Sequence, residues 1–389
     1  MNAKERRRRV LPLLLIVALV ASLPRGAAAQ LDSTASSQNG TRSQTKDPAA
    51  EMALQKGIVL TGQGRFEEAI APLLQARGKV AEEYASEFNL ALCYLGTGRY
   101  GQAISILSAL RADSHDTAAV NNLLAQSYIG SREQERALEA LQRAAAQTPK
   151  DERLYAYVAD SCTDHNEYAL GLRVVEIGLK HLPDSPRLHY ERAMFLARLD
   201  RLEEAKPEFG RANELAPGGD IAYLATVQEA LYEEDFAKAL RLVRGAIEAG
   251  HHDYQMLSLL GTILMHVGAT PGQATFSEAR EALEASVAAQ PRYSTAQIAL
   301  GKLYLMEGRT RDAVSHLETG RDLEPWNPSV YTSLATAYRR LGEREKSREC
   351  IKVLAALLRK EQRRGQSRRS LKNLNAADNA VLDSLQTLQ

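Results

Sequence analysis

Along this chain, small and large apolar residues return at a fixed interval of 34 positions. The clearest stretch is Asp116 to Pro217, where Pro149, Pro183 and Pro217 close successive intervals. Within it Leu124-Ala125 with Tyr128 becomes Val158-Ala159 with Cys162, then Ala193-Met194 with Leu196. A second small residue follows at Ala137, Gly171 and Ala205, and a third at Ala144, Gly178 and Ala212. Spacings of three, four and seven put such residues on one face of a helix. A recurrence of this length marks one supersecondary unit repeated in tandem.

Nine repeats fit the register, starting near residues 50, 84, 118, 152, 186, 220, 254, 294 and 328. The first helix takes positions 1–14 and the second roughly 18–31. Position 8 reads Gly57, Ala91, Ala125, Ala159, Ala193, Val227, Gly261, Gly301 and Ala335. Position 20 is Ala or Gly in eight repeats and Ser347 in the last. Position 24 is larger: Leu73, Leu107, Leu141, Val175, Phe209, Val243, Leu283, Leu317 and Ile351. Two helices of a hairpin cross where a side chain is small, and a bulky neighbour fills the remaining gap. Proline stands at position 32 in five repeats, where it stops the second helix.

These features resemble the tetratricopeptide repeat family. The matches are Leu-Ala or Leu-Gly at 7–8, Tyr94, Tyr128, Tyr304 and Tyr338 at position 11, and the residues at 20, 24 and 32. Turns at Gly64-Arg65-Phe66 and Gly98-Arg99-Tyr100 add to them. The family tryptophan at position 4 is absent throughout. The resemblance covers roughly residues 50–354. It implies an all-α fold, a right-handed superhelical solenoid of about nine helix-turn-helix repeats with a concave groove lined by first helices.

Two departures stand out. The seventh repeat is 40 residues long, with the extra residues around Gly268-Ala269-Thr270-Pro271-Gly272-Gln273 in its internal turn. Pro72 and Pro207 fall early in second helices and are expected to kink or delay them.

The ends have their own character. Residues 1–29 read as an export signal: Lys4 and Arg6 to Arg9 form a basic segment, Val10 to Leu23 an apolar run, and Ala27-Ala28-Ala29 a cleavage site. The run is shorter than a spanning helix needs. The expected mature protein begins at Gln30 and is periplasmic or secreted, with no membrane span once the signal is removed. Residues 30–49 read as a flexible polar spacer. Residues 355–364 extend the last helix, 365–375 form a basic linker, and 376–389 a short terminal helix. Arg359 to Lys372 holds seven basic residues and one acid, a solvated tail suited to surface contact with an acidic partner or lipid headgroups.

Net charge is +1 for the whole chain, but residues 1–29 carry six basic residues and one acid. The remainder keeps 43 basic and 47 acidic residues, a net −4. A mildly acidic mature chain argues against nucleic acid as a partner. Cys93, Cys162 and Cys350 are scattered, form no disulfide framework, and read as small interior hydrophobes.

Candidate chemistry is thin. No H-E-x-x-H, P-loop or G-x-S-x-G pattern occurs. His251-His252-Asp253 is the tightest histidine cluster, without a third ligand nearby in sequence. Asp160 and Asp164 share a helix face, as carboxylates on exposed helices often do. No catalytic, cofactor or metal site is expected, and the chain is read as non-enzymatic.

The resemblance places ligands on the face made by positions 2, 5, 6, 9, 12 and 13 of first helices. There the sequence puts Phe88, Leu92 and Leu95 in the second repeat. It puts Arg153, Tyr157 and Asp160 in the fourth, and Arg187, Tyr190, Met194 and Arg198 in the fifth. Arg153 and Arg187 hold the same position and are expected to form a ladder. Arginine and tyrosine are frequent interface anchors. The family's carboxylate clamp is matched only by Asn89, with Leu54, Ile58, Ala119 and Leu123 at its other positions. The leading reading is therefore an exported scaffold that binds a protein or peptide segment in this groove, in envelope assembly or secretion. A groove-borne enzymatic or metal-dependent activity, or nucleic-acid binding by a helical array, are the alternatives.

Overall fold

The computed structural model describes residues 47–363, which form eighteen α-helices and no strand. Helices alternate with short turns, so each pair folds back as a hairpin. Packing divides the chain after Leu188 into two compact halves.

In the amino-terminal half, α1 (Pro48–Gly62) pairs with α2 (Phe66–Ala76) and α3 (Glu83–Gly96) with α4 (Tyr100–Ala112). Then α5 (Ala118–Gly130) pairs with α6 (Gln134–Gln147) and α7 (Glu152–Asp164) with α8 (Tyr168–His181). The division falls within α9 (Pro186–Arg198), which leads into α10 (Leu202–Leu215). The carboxy-terminal half continues with α11 (Asp220–Tyr232) on α12 (Phe236–Glu248) and α13 (Tyr254–His266) on α14 (Ala274–Ala289). It closes with α15 (Ser294–Met306) on α16 (Thr310–Leu323) and α17 (Pro328–Arg340) on α18 (Arg344–Arg363). The first helices α1, α3, α5 and α7 also touch in succession, as do α13, α15 and α17. Each half is thus a helical repeat solenoid, and first helices line up in a row from α1 to α7 and from α13 to α17.

The small-residue positions do the work that their spacing implies. A Cβ on Gly261 would stand 2.4 Å from Leu283 Cγ and 3.0 Å from the Ala279 carbonyl oxygen. These are positions 8, 24 and 20 of one repeat. The same approach recurs at Gly301, against Leu317 and the Ala313 carbonyl. Only a missing side chain lets the two backbones come this close.

Each turn inside a hairpin reverses the chain through a left-handed residue, and the long turn of the seventh repeat holds a second, Gly272. Gly64, Gly98, Gly268, Gly308 and Gly342 adopt positive φ there, and so do Arg132, Asn166, Asp200 and Glu234. The left-handed residue ends the first helix and lets its last carbonyls be capped, as the amide of Glu133 does for Tyr128 (2.8 Å).

Three expectations change. Pro72 and Pro207 lie inside α2 and α10, which start before them and run on past them, so neither delays its helix. Packing of the hairpin outweighs one missing backbone donor. Pro48 and Ala49 belong to α1 rather than to a spacer, because the Asp47 side chain caps the helix by accepting from Ala49 N at 3.0 Å. In the seventh repeat the turn covers 267–273, and α14 has 16 residues against 13 in α12, so the extra length is shared between turn and helix. The export signal, the rest of the spacer, the basic linker at 365–375 and the terminal helix at 376–389 lie outside the described residues.

Candidate partner-binding face

Four of the expected residues converge in the amino-terminal half, on α7 and the start of α9. Asp151 caps α7, accepting from Arg153 N at 3.2 Å. Its carboxylate also takes the Arg153 guanidinium side-on, with Nε at 2.9 Å and Nη2 at 3.1 Å. One turn along, Tyr157 is 5% exposed, and its hydroxyl has no hydrogen-bond partner among the described residues. Asp160 lies a further turn on and faces Arg187 of α9 at 3.7 Å. Each arginine therefore pairs with a different carboxylate.

The electrostatics of this cluster follow from burial. Burial lifts the Asp160 carboxyl to about 6, against the pull of Arg187. It also raises the Tyr157 phenol, while Arg153 and Arg187 oppose it and Asp151 and Asp160 add to it. Tyr157 is thus within electrostatic reach of two guanidiniums and two carboxylates.

The residues expected at the second repeat are placed differently. Leu92 and Leu95 are each 1% exposed and Phe88 is 8% exposed, with its ring 5.5 Å from Tyr84. They are core of the amino-terminal half rather than open contact surface. A helical wheel gives their direction but not the neighbouring helices that close over them.

In the carboxy-terminal half, Tyr190 is buried with its ring 6.2 Å from Phe209, which lies 6.1 Å from Tyr232. Burial pushes the Tyr190 phenol well up; Glu191, Tyr293 and Tyr232 add to this, and Arg198 opposes it. Tyr293, just ahead of α15, is pushed to about 12 by burial and also feels Arg198. It meets Tyr254 edge-on at 5.0 Å. Arg198 on α9 therefore acts on rings at both ends of a span of three repeats. Met194 is half-buried on the same helix. The sequence pattern did not single out Tyr254 and Tyr293, because they stand at the very start of first helices, outside the positions assigned to the face.

The remaining candidates have structural duties. His251 pairs with Asp220 and lies against Tyr223 with ring centres at 4.5 Å, while Asp253 caps α13 through Gln255 N and Met256 N. Among the described residues no group of three His, Cys, Asp or Glu side chains is arranged to hold a metal ion. All three cysteines are buried, and burial pushes the Cys93 thiol to about 12 and Cys350 to about 11. Thiols held this high are poor nucleophiles at neutral pH. No helix among the described residues is long and apolar enough to cross a membrane.

Comparison with known proteins places this geometry. Tetratricopeptide repeat family models match residues 60–127 and 272–328, one stretch in each half. No curated protein matches the chain. Solved structures that resemble it include MamA from MSR-1, 24% identical over 43% of this chain and 97% of that one, with a TM-score of 0.34. YrrB, described as a TPR protein with an unusual peptide-binding site, is 18% identical over 47% of this chain and 91% of its own, TM-score 0.32. A monomeric mutant of IFIT1 with Gppp-AAAA is 14% identical over 88% of this chain and 92% of its own, TM-score 0.47. Two stretches of the chain thus match tetratricopeptide repeat models, and both lie within helical hairpins of the solenoid.

Proposed function

We propose that the protein is an exported, non-enzymatic scaffold that binds a segment of another protein along its row of first helices. The repeat matches support a protein-interaction role. The observation that carries the reading is the buried Tyr157 hydroxyl, which has no hydrogen-bond partner among the described residues and feels the charges of both Arg153 and Arg187. A rigid row of helices holds such groups in place before a ligand arrives, which lowers the entropy lost on binding. A segment lying along the row would meet Arg153, Tyr157, Asp160 and Arg187 in the amino-terminal half. Phe88, Leu92 and Leu95 support this face from beneath. The carboxy-terminal half offers a face of its own at Tyr190, Met194 and Arg198.

Export rests on the basic segment, apolar run and Ala27-Ala28-Ala29 site of residues 1–29. A role in envelope assembly or secretion follows from that address. Sequencing the amino terminus of protein purified from its own cells tests it: a start at Gln30 supports export, and a retained Met1 in cytosol contradicts it.

Crosslinked capture from the cell envelope tests the binding face. The wild type is compared with the double variant Arg153→Glu, Arg187→Glu after both are shown to unfold at similar temperatures. A partner held by the wild type and lost by the variant supports this face. Equal capture by both contradicts it.

A further inference from the structure

The cluster on α7 and α9 is specific enough in its chemistry to name a ligand class, an inference that rests on the groove reading above. We propose that Tyr157, Arg187 and Arg153 form a receptor for one carboxylate of an acidic peptide segment, with Asp160 as the internal group that the ligand displaces.

Three observations carry this. First, the Tyr157 hydroxyl lacks an acceptor. Its own hydroxyl is buried and has no partner among the described residues, a state that native proteins seldom leave unused. The two guanidiniums within its electrostatic reach are donors only, and the two carboxylates there, Asp151 and Asp160, face those guanidiniums instead of the hydroxyl. The missing complement is an oxygen acceptor carrying negative charge.

Second, Arg187 is underused. Its Nη2 stands 3.7 Å from Asp160 Oδ2, beyond the separation of roughly 2.7–2.9 Å at which charge-assisted hydrogen bonds form. One long contact occupies little of a guanidinium with five N–H donors. A ligand carboxylate can take the open edge side-on, as Asp151 already does with Arg153 at 2.9 and 3.1 Å.

Third, the charge balance selects a monoanion. Tyr157 feels Asp151 and Asp160 as well as the two arginines. A phosphate dianion beside two carboxylates meets like-charge repulsion that a single carboxylate meets less strongly. Burial disfavours the charged form of Asp160, so the resident carboxylate gives way readily.

The test uses the full-length protein and two fluorescein-labelled peptides at about 0.15 M salt, where nonspecific attraction is largely screened. One peptide alternates glutamate with alanine; the other has glutamine in place of glutamate. Fluorescence anisotropy is expected to show the acidic peptide bound about tenfold more tightly. Tyr157→Phe, which removes only the hydroxyl, and Arg187→Gln are each expected to abolish most of that preference. Asp160→Asn is expected to tighten the acidic peptide, a gain that loss of structure cannot produce. Arg143→Gln, on α6 beside Asp116, is expected to change nothing. Equal binding of the two peptides overturns the inference while leaving the groove reading intact, since a neutral segment still binds. Weaker acidic binding by Asp160→Asn overturns the displacement step. Inorganic phosphate competing as well as the acidic peptide overturns the choice of carboxylate.

Discussion

Arg187 at the start of α9 and Asp160 on α7 face each other at 3.7 Å, both half-buried, so a carboxylate is held in a desolvated place by a long contact. Most surface ion pairs among the described residues are closer and more exposed; Arg201, just ahead of α10, and Glu204 on it lie 2.6 Å apart and gain little from it. The Arg187–Asp160 pair differs because burial works against the charge that the arginine favours.

That opposition sets a pH dependence. The Asp160 carboxyl titrates near 6 in the folded protein and near its ordinary 3.8 when unfolded. Between those values the folded state holds a proton that the unfolded chain has released. The benefit of the neutral form is therefore present at low pH and lost as pH rises through about 6. Asp160→Asn carries no charge at any pH. It is expected to be more stable than the wild type at about pH 7.5, by on the order of 1–2 kcal/mol, with the gap closing by about pH 4. Urea unfolding of both proteins at the two pH values checks this. A gap that widens toward low pH contradicts it.

The hairpin turns give a second prediction. Glu234 adopts φ 60 at the position where five other repeats use glycine. A side chain in the left-handed region costs about 1–2 kcal/mol, of which glycine returns part through greater freedom in the unfolded chain. Glu234→Gly is expected to raise stability by about 0.5–1 kcal/mol. Gly98→Val, at φ 73, is expected to lower it by more than that. Thermal melts of the two variants decide the matter by the sign of each shift.

Close packing gives a third. The Cβ added by Gly261→Ala meets the Leu283 side chain and the Ala279 carbonyl at once. Leu283 can turn aside, but the backbone oxygen cannot without moving α14. The substitution is expected to cost about 1–3 kcal/mol. Gly245→Ala on α12, where a Cβ meets nothing, is expected to be neutral or slightly stabilising. Equal melting points for the two variants would contradict the packing account.

The hairpins and their crossings were legible in the sequence because one steric fact is written at three spaced positions. Gly261, Ala279 and Leu283 must be small, small and large if the helices are to touch. The turns were legible where glycine marks them, at Gly64 and Gly98, but Arg132 and Glu234 carry the same backbone without the signal. The candidate face was half legible. Helical spacing put Arg153, Tyr157, Asp160 and Arg187 together. It did not reveal that Asp151 holds Arg153, because capping depends on backbone dihedrals two residues earlier. Nor did it reveal that Leu92 and Leu95 are covered, since burial depends on neighbouring helices.

The central claim is that the first-helix row is where another protein binds. A photocrosslinking amino acid in place of Arg187, compared with one in place of Glu176 on the opposite helix α8, tests it most directly in cells. The account predicts a discrete adduct from position 187, mapping to one segment of one partner, and none from position 176. Adducts from position 176 alone, or the same adducts from both, would contradict it.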